Sequence, residues 1–267
     1  MPGPLDFNAI EIARAMADAA RAETLRHFRA LSAVENKQSA TDYDPVTEGD
    51  RAAERAMRSV LEDLRPNDGI HGEEYGLKAG TSGWTWVLDP IDGTRSFVAG
   101  LTTWTTLIGL VDGAGDAIVG IIDQPFLDER YIGSPDGAWL ETSCERKSIR
   151  VSDTSDLRHS TIATTDPFIM TLPEQGAWTH LRSTARIVRY GLDAYAYARL
   201  AAGSIDLVAE SELAPYDAAA LIPVVRGAGG LAFDWRGNPA KPGGQLVCAA
   251  HKDIMDQALI SLRRSAD

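Results

Sequence analysis

The run Trp84-Thr85-Trp86-Val87-Leu88 has the aromatic and β-branched character of a buried strand, and it ends abruptly on Asp89-Pro90-Ile91-Asp92-Gly93-Thr94. A strand that delivers two carboxylates, with a proline between them and a glycine after them, leaves both at the carboxyl end of the strand. Carboxylates that close repel unless a cation or a proton intervenes. Carboxylate oxygens, with a backbone carbonyl and waters, are what a hard ion such as Mg²⁺ takes as ligands. The Gly93-Thr94 turn suits backbone N–H groups aimed at an anion. The segment can therefore hold metal and phosphate together.

The elements around it follow from periodicity. Ile10, Ala13, Ala17, Ala20, Thr24, Phe28 and Leu31 recur at helical steps and predict a helix over residues 6–31. Ala53, Met57, Val60 and Leu64 predict a second helix over 48–64, with Thr47 as N-cap and Pro66 as the stop. Short β-branched or aromatic runs at 105–111, 117–122, 129–132 and 138–140 predict a meander of strands. Beyond them the rhythm changes to helix 193–202, strand 205–209, helix 216–227, strands 231–234 and 246–249, and a last helix from 252. The chain thus divides into an α+β half, residues 1–145, and an α/β half, residues 146–267. Gly227-Ala228-Gly229-Gly230 follows a helix and precedes a strand, the reverse of a nucleotide-binding context, and reads as a helix stop.

Charge narrows the function. With 26 basic and 38 acidic side chains the net charge is -12, which argues against long nucleic acid as a partner. So acidic a surface also repels a small phosphate ester, so cations must intervene at any phosphate site. Cys144 and Cys248 form no Cys-x-x-Cys unit, and the five histidines show no ligand spacing. No run approaches 18 apolar residues and no basic leader precedes the first helix, so the expectation is no membrane partner and a cytoplasmic location.

Further acidic groups accompany the central segment: Asp50 in Asp44-Pro45-Val46-Thr47-Glu48-Gly49-Asp50, the pair Glu73-Glu74 after Gly72, and Asp217 at the start of a late helix. Singly, each has an ordinary structural explanation, such as a favourable place at a helix N-terminus or in a solvated loop. An Asp-x-Asp-Gly-Thr motif of the haloacid dehalogenase kind would place its nucleophile at position 90, which is Pro90 here. A covalent aspartyl-phosphate is thereby disfavoured against water activated by metal.

Asp44-Pro45-Val46-Thr47 with Asp50, Gly72-Glu73-Glu74, Asp89 to Thr94, and Pro215-Tyr216-Asp217-Ala218-Ala219 together resemble the inositol monophosphatase superfamily, in the family's order and over most of the chain. Tyr216 stands where many members have tryptophan. The resemblance implies an α/β protein with the layered αβαβα sugar-phosphatase fold, a homodimer, and two or three Mg²⁺ ions per site. It implies that Glu73, Asp89 and the carbonyl of Ile91 hold one ion, that Asp89, Asp92 and Asp217 hold a second, and that a third lies near Glu73. Asp50 and Thr94 would orient the attacking water, with Glu73 contributing to catalysis through its ions and Glu74 and Lys37 in support. The Gly93 and Thr94 N–H groups would receive the phosphate.

Within the superfamily, Glu35-Asn36-Lys37, Tyr190 to Tyr197, Ile205 to Glu210 and Ala220 to Val225 resemble the histidinol-phosphate phosphatase branch. That branch implies hydrolysis of L-histidinol phosphate, a step of histidine biosynthesis. The substrate's ammonium and imidazole would meet Glu210 and Asp193, with Arg189 closing the site. Carboxylates also accept hydrogen bonds from hydroxyls, so inositol-1-phosphate is the alternative. A noncatalytic metal- or phosphate-binding scaffold is the reading from another class, and the retention of both Asp50 and Thr94 counts against it.

Overall fold

A computed structural model of the chain describes residues 8–30, 34–36 and 45–266, with the backbone alone for 34–36 and 45–46. Two helices open it, α1 (Ala9–His27) and α2 (Glu48–Leu64), with a short antiparallel pair between them, β1 (Val34–Asn36) and β2 (Pro45–Thr47). Asn8 caps α1 through its side-chain oxygen, and Thr47 caps α2 as expected. Eight strands follow: β3 (Gly69–Gly72), β4 (Gly76–Lys78), β5 (Thr85–Asp92), β6 (Thr105–Val111), β7 (Ala117–Gln124), β8 (Glu129–Ser134), β9 (Gly137–Glu141) and β10 (Arg146–Ser148). They form one sheet in the order β10-β9-β8-β7-β6-β5-β3-β4, and the short helix α3 (Thr94–Val98) leaves the end of β5.

The second half contributes β11 (Thr161–Ala163), α4 (Leu172–Thr184), β12 (Ile187–Arg189), α5 (Tyr195–Ala201), β13 (Leu207–Leu213), α6 (Pro215–Ala218), α7 (Leu221–Gly227), β14 (Leu231–Phe233), β15 (Gly244–Ala249) and α8 (Lys252–Leu262). Its five strands pair in the order β12-β11-β13-β15-β14. The two sheets and their helices stack as the αβαβα arrangement, and strand alternation is what builds it. On β6, β7 and β8 the residues Ile108, Ile121 and Ile132 face α1 and α2. Their neighbours Leu107, Ile122 and Tyr131 face the middle layer of α5 and α7. On β13 and β15, Val208 and Cys248 face that same layer, while Leu207, Ala209, Val247 and Ala249 face α4 and α8.

The middle layer lies unusually close to the first sheet. Gly109, Gly120 and Gly133 are cross-strand partners on β6, β7 and β8 and form a row. A Cβ there would stand 2.7 Å from Ala219 Cβ, 2.1 Å from the Ala220 carbonyl oxygen and 2.2 Å from Val224 Cα respectively. The glycine row is thus the trough into which the α6–α7 segment settles.

Several elements differ from expectation. The single helix expected over 216–227 is two, α6 and α7: Ala219 and Ala220 between them keep helical backbone angles, but Pro223 has no N–H to offer the Ala219 carbonyl. β1, β2, β3, β4, β10, β11, β12 and α4 escaped sequence reading: the strands are only 3 or 4 residues long, and α4 carries Pro173 and Gly176. Both cysteines are unpaired, Cys144 exposed and Cys248 buried. Among the described residues, no helix is long and apolar enough to cross a membrane.

Candidate metal centre and cleft

β5 does not stop at Leu88 but continues to Asp92, and it does so through a bulge. Asp89 pairs with Leu107 and Asp92 with Thr105, so three steps on β5 match two on β6. In a regular strand, residues three apart point to opposite faces; the extra residue turns Asp92 to the side of Asp89. The bulge is pinned from both sides. Thr106 Oγ1 donates to the Pro90 carbonyl at 2.7 Å, and the Ile91 side chain is fully buried with Phe28, Phe97 and Trp104. The Ile91 carbonyl accepts from Thr94 Oγ1 at 3.0 Å.

Asp217 comes to the same place from the other half of the chain. On α6 it reaches back to accept the Ala214 N–H at 2.7 Å, and the glycine trough sets the height of that helix over β5 and β6. One carboxylate oxygen each from Asp89, Asp92 and Asp217 lies within 4.8 Å of the others. Glu73 completes the group: its N–H donates to the Leu88 carbonyl at 3.1 Å, and its carboxylate acts directly on Asp89.

The electrostatics of the group call for cations. Burial raises the Asp89 carboxyl well above the usual range, and repulsion from Glu73, Asp92 and Asp217 adds to it. Burial likewise raises Asp92, with Asp193 and Asp217 adding to the effect. Asp217 is pushed up to about 7, first by burial and then, against the Ala214 hydrogen bond, by Glu73, Glu210 and Asp193. Asp89 is 2 % exposed, yet its Oδ1 has no hydrogen-bond partner among the described residues. A buried carboxylate oxygen without a donor, in a group with two further carboxylates, suits a hard cation as its partner. The donor set is oxygen throughout, which fits Mg²⁺, Mn²⁺ or Ca²⁺ and not a thiolate or imidazole metal.

Asp50 is 1 % exposed and belongs to the capping box of α2, accepting from the Thr47 N–H at 2.8 Å and the Thr47 hydroxyl at 2.6 Å. Burial pushes its carboxyl up to about 7 against those hydrogen bonds, and Glu74 and Glu73 raise it further. The cap and the proximity to the site are therefore both true of Asp50. Lys37 lies outside the described residues.

Beside the metal group opens a cleft of about 820 Å³. Glu73, Asp92, Asp166, Asp193, Glu210, Glu212 and Asp217 supply its acidic lining, Ile169, Met170, Leu213 and Leu221 its apolar wall, and Gly93 and Thr94 its floor. Among the described residues lining it, Arg95 is the sole cation. Asp193 has left-handed backbone, φ +47°, and its carboxylate sits where a Cβ at Gly93 would stand, 2.8 Å from Oδ2. Gly93, itself at φ +78°, is thus required both by its backbone and by its neighbour.

Glu210 is 7 % exposed and largely committed: Oε1 accepts both the N–H (2.8 Å) and the hydroxyl of Thr165, and Oε2 accepts the Tyr197 hydroxyl at 3.1 Å. One lone pair of Oε2 remains for the cleft. Arg189 does not itself line the cleft: it lies exposed on the edge strand β12, beside the lining residue Thr164, whose N–H donates to the Arg189 carbonyl at 3.3 Å. The sequence reading passed over Arg95, Asp166 and Glu212. Arg95 was visible as the cation directly after Thr94, whereas only the left-handed backbone of Glu212, φ +58°, on a bulge of β13, sets that residue apart.

Comparison with known proteins agrees with this geometry. The sequence model described as the inositol monophosphatase family matches residues 7–267. The chain is 38% identical over 262 residues to the chloroplastic bifunctional phosphatase IMPL2 of Arabidopsis thaliana, covering 94% of this chain and 74% of that protein. It is 37% identical to a histidinol-phosphatase of Streptomyces coelicolor, covering 97% of each. An inositol monophosphatase structure from Zymomonas mobilis superposes with a TM-score of 0.84 at 37% identity, covering 95% of this chain and 96% of that one.

Proposed function

The chain is a phosphatase of the inositol monophosphatase family, and on that premise we propose that it hydrolyses L-histidinol phosphate to L-histidinol and phosphate in a Mg²⁺-dependent reaction. One observation carries the choice of substrate. The proposed ions would account for Glu73, Asp89, Asp92 and Asp217, yet among the described residues lining the cleft Asp166, Asp193, Glu210 and Glu212 remain against Arg95 alone. A surplus of carboxylates beyond the metal's needs favours a leaving group that carries positive charge, as the histidinol ammonium does, over a neutral polyol. The likeness to a histidinol-phosphatase over 97% of both chains supports the same choice.

In the proposed site, Glu73, Asp89, Asp92 and Asp217 would hold the ions, with the remaining lone pair of the Ile91 carbonyl. Bound Mg²⁺ would neutralise these carboxylates, polarise the phosphoryl group and acidify the attacking water. Thr94 spends its hydroxyl proton on Ile91, so its oxygen is left to accept from that water. Asp50, with its carboxyl near 7, is the proposed proton acceptor. The Gly93 and Thr94 N–H groups are the proposed phosphate contacts. Asp193 and the open lone pair of Glu210 receive the ammonium of the leaving group. The P–O ester bond breaks as the water oxygen bonds to phosphorus, and the departing alkoxide takes a proton from solvent. The protein is proposed to work in the cytoplasm as a homodimer.

The likeness to the Zymomonas mobilis inositol monophosphatase favours a second reading, inositol-1-phosphate as substrate. The deciding experiment is Mg²⁺-dependent phosphate release from histidinol phosphate, inositol-1-phosphate, fructose-1,6-bisphosphate and 3′-phosphoadenosine 5′-phosphate, compared by kcat/KM. Preference for the first is the expected result; preference for inositol phosphate replaces the substrate and leaves the metal chemistry standing.

A further inference from the structure

Helix α2 carries a polar stripe beside its apolar one. Asp50, Glu54 and Arg58 recur at four-residue steps and so lie above one another, while Ala53, Met57 and Leu61 face the first sheet. The stripe runs along the turn between β3 and β4, residues 73–75, which carries Glu73.

Glu54 is fully buried, at 0 % exposure. Its Oε2 accepts the Glu74 N–H at 2.7 Å and its Oε1 the Tyr75 N–H at 3.2 Å. Arg58 Nε donates to the same carboxylate at 2.8 Å, and its NH2 group donates to the Gly76 carbonyl at 2.6 Å. With the Glu73 N–H on the Leu88 carbonyl, three successive N–H groups of the turn and the carbonyl that closes it are all fixed. Gly72 shows how closely the turn is drawn in. Its backbone is not left-handed, yet a Cβ there would stand 2.0 Å from Glu54 Oε1. The glycine before Glu73 is required by Glu54 and not by the turn.

A turn can be held with neutral side chains, yet this one is held by a fully buried carboxylate paired with Arg58. Charge-assisted hydrogen bonds are shorter and about twice as strong as neutral ones, and they hold a backbone more tightly. We propose that Glu54, clamped by Arg58, is a positioning residue that presets Glu73 against Asp89 before an ion arrives. The inference rests on the ligand role proposed for Glu73.

The test uses the full chain and three variants, Glu54→Gln, Glu54→Asp and Glu73→Gln. The readouts are the Mg²⁺ dissociation constant by calorimetry without substrate, and amide exchange at Glu74 and Tyr75 in the metal-free protein. Glu54→Asp keeps the charge and the Arg58 pair but withdraws the carboxylate by one methylene, so it serves even where Glu54→Gln fails to fold. The expected result is faster exchange at both amides and Mg²⁺ binding weakened by about tenfold or more, the scale of outer-shell changes at metal sites. A folded Glu54 variant with a lower melting temperature and a dissociation constant within about twofold of the parent would make the role merely structural and overturn the proposal. If Glu73→Gln weakens binding and the Glu54 variants do not, the clamp alone fails. If Glu73→Gln also leaves binding unchanged, the ligand assignment falls and the clamp with it.

Discussion

The backbone N–H of Ala194 donates to Asp92 Oδ2 at 2.8 Å across 102 positions of sequence. That bond ties the start of α5 to the end of β5, so the carboxylate proposed to hold metal also fixes the loop bearing Asp193. The two halves of the chain meet at the proposed site.

Asp92→Asn should therefore separate two effects. The amide keeps an oxygen for the Ala194 N–H, so the fold and the position of Asp193 should survive, while the metal loses a charged ligand. A fall in turnover of at least about 100-fold is expected, beyond what changes behind the ligands usually cost. Turnover measured against Mg²⁺ concentration checks it: near-parental activity at limiting Mg²⁺ would remove Asp92 from the metal site.

The metal-free protein should lose stability as pH rises. Asp50 and Asp217 have folded-state values raised to about 7 from an ordinary value near about 4. Their contribution is fully present below the unfolded value and disappears as pH climbs through 7, with a slope of at most about 1.4 kcal/mol per pH unit for each group. The melting temperature in a chelator should be several degrees higher at pH 5.5 than at pH 8, and saturating Mg²⁺ should flatten the difference. A chelated protein more stable at pH 8 would contradict the assignment.

How far the sequence reveals this arrangement depends on the length scale of the cause. Asp89, Asp92 and the strand before them were legible because local residue types carry the signal. The bulge that turns Asp92 alongside Asp89 was not, because it is defined by register against Thr105 and Leu107 on β6. The polar stripe Asp50, Glu54, Arg58 was present in the helical spacing of α2, but the apolar stripe beside it dominated the reading. Arg189 looked as near the cleft as Asp193; its backbone does reach the lining residue Thr164, but its exposed place on the edge strand β12 leaves it out of the lining. The glycine row had no local signature, since each glycine answers to a helix about a hundred residues later.

That row makes a prediction of its own. Gly120→Ala would place a methyl group 2.1 Å from the Ala220 carbonyl oxygen, a backbone atom that cannot swing away. Overpacking of a tight core costs roughly 1–3 kcal/mol, and here relief requires α6 and α7 to rise from the sheet, so the upper end or more is expected. Because Asp217 rides on α6, Mg²⁺ affinity should fall along with the melting temperature. Thermal unfolding and metal titration of the one variant check both; a drop in stability with unchanged metal binding would show that Asp217 is placed independently of the trough.

Glu210 separates binding of the leaving group from the chemistry. Its Oε1 is filled by Thr165 and its Oε2 half-filled by Tyr197, so it has one place left to offer, and a cationic N–H would gain most from it. A hydrogen bond to a charged group is worth about 1.5–3 kcal/mol, roughly 10- to 150-fold in kcat/KM. Glu210→Gln keeps the shape and removes the charge. It should cost that much on histidinol phosphate and less than about threefold on p-nitrophenyl phosphate, whose leaving group carries no cation. Tyr197→Phe should move the other way on histidinol phosphate, because it frees a second lone pair without removing the charge. Equal losses on both substrates for Glu210→Gln would mean that Glu210 supports the metal centre and does not choose the substrate.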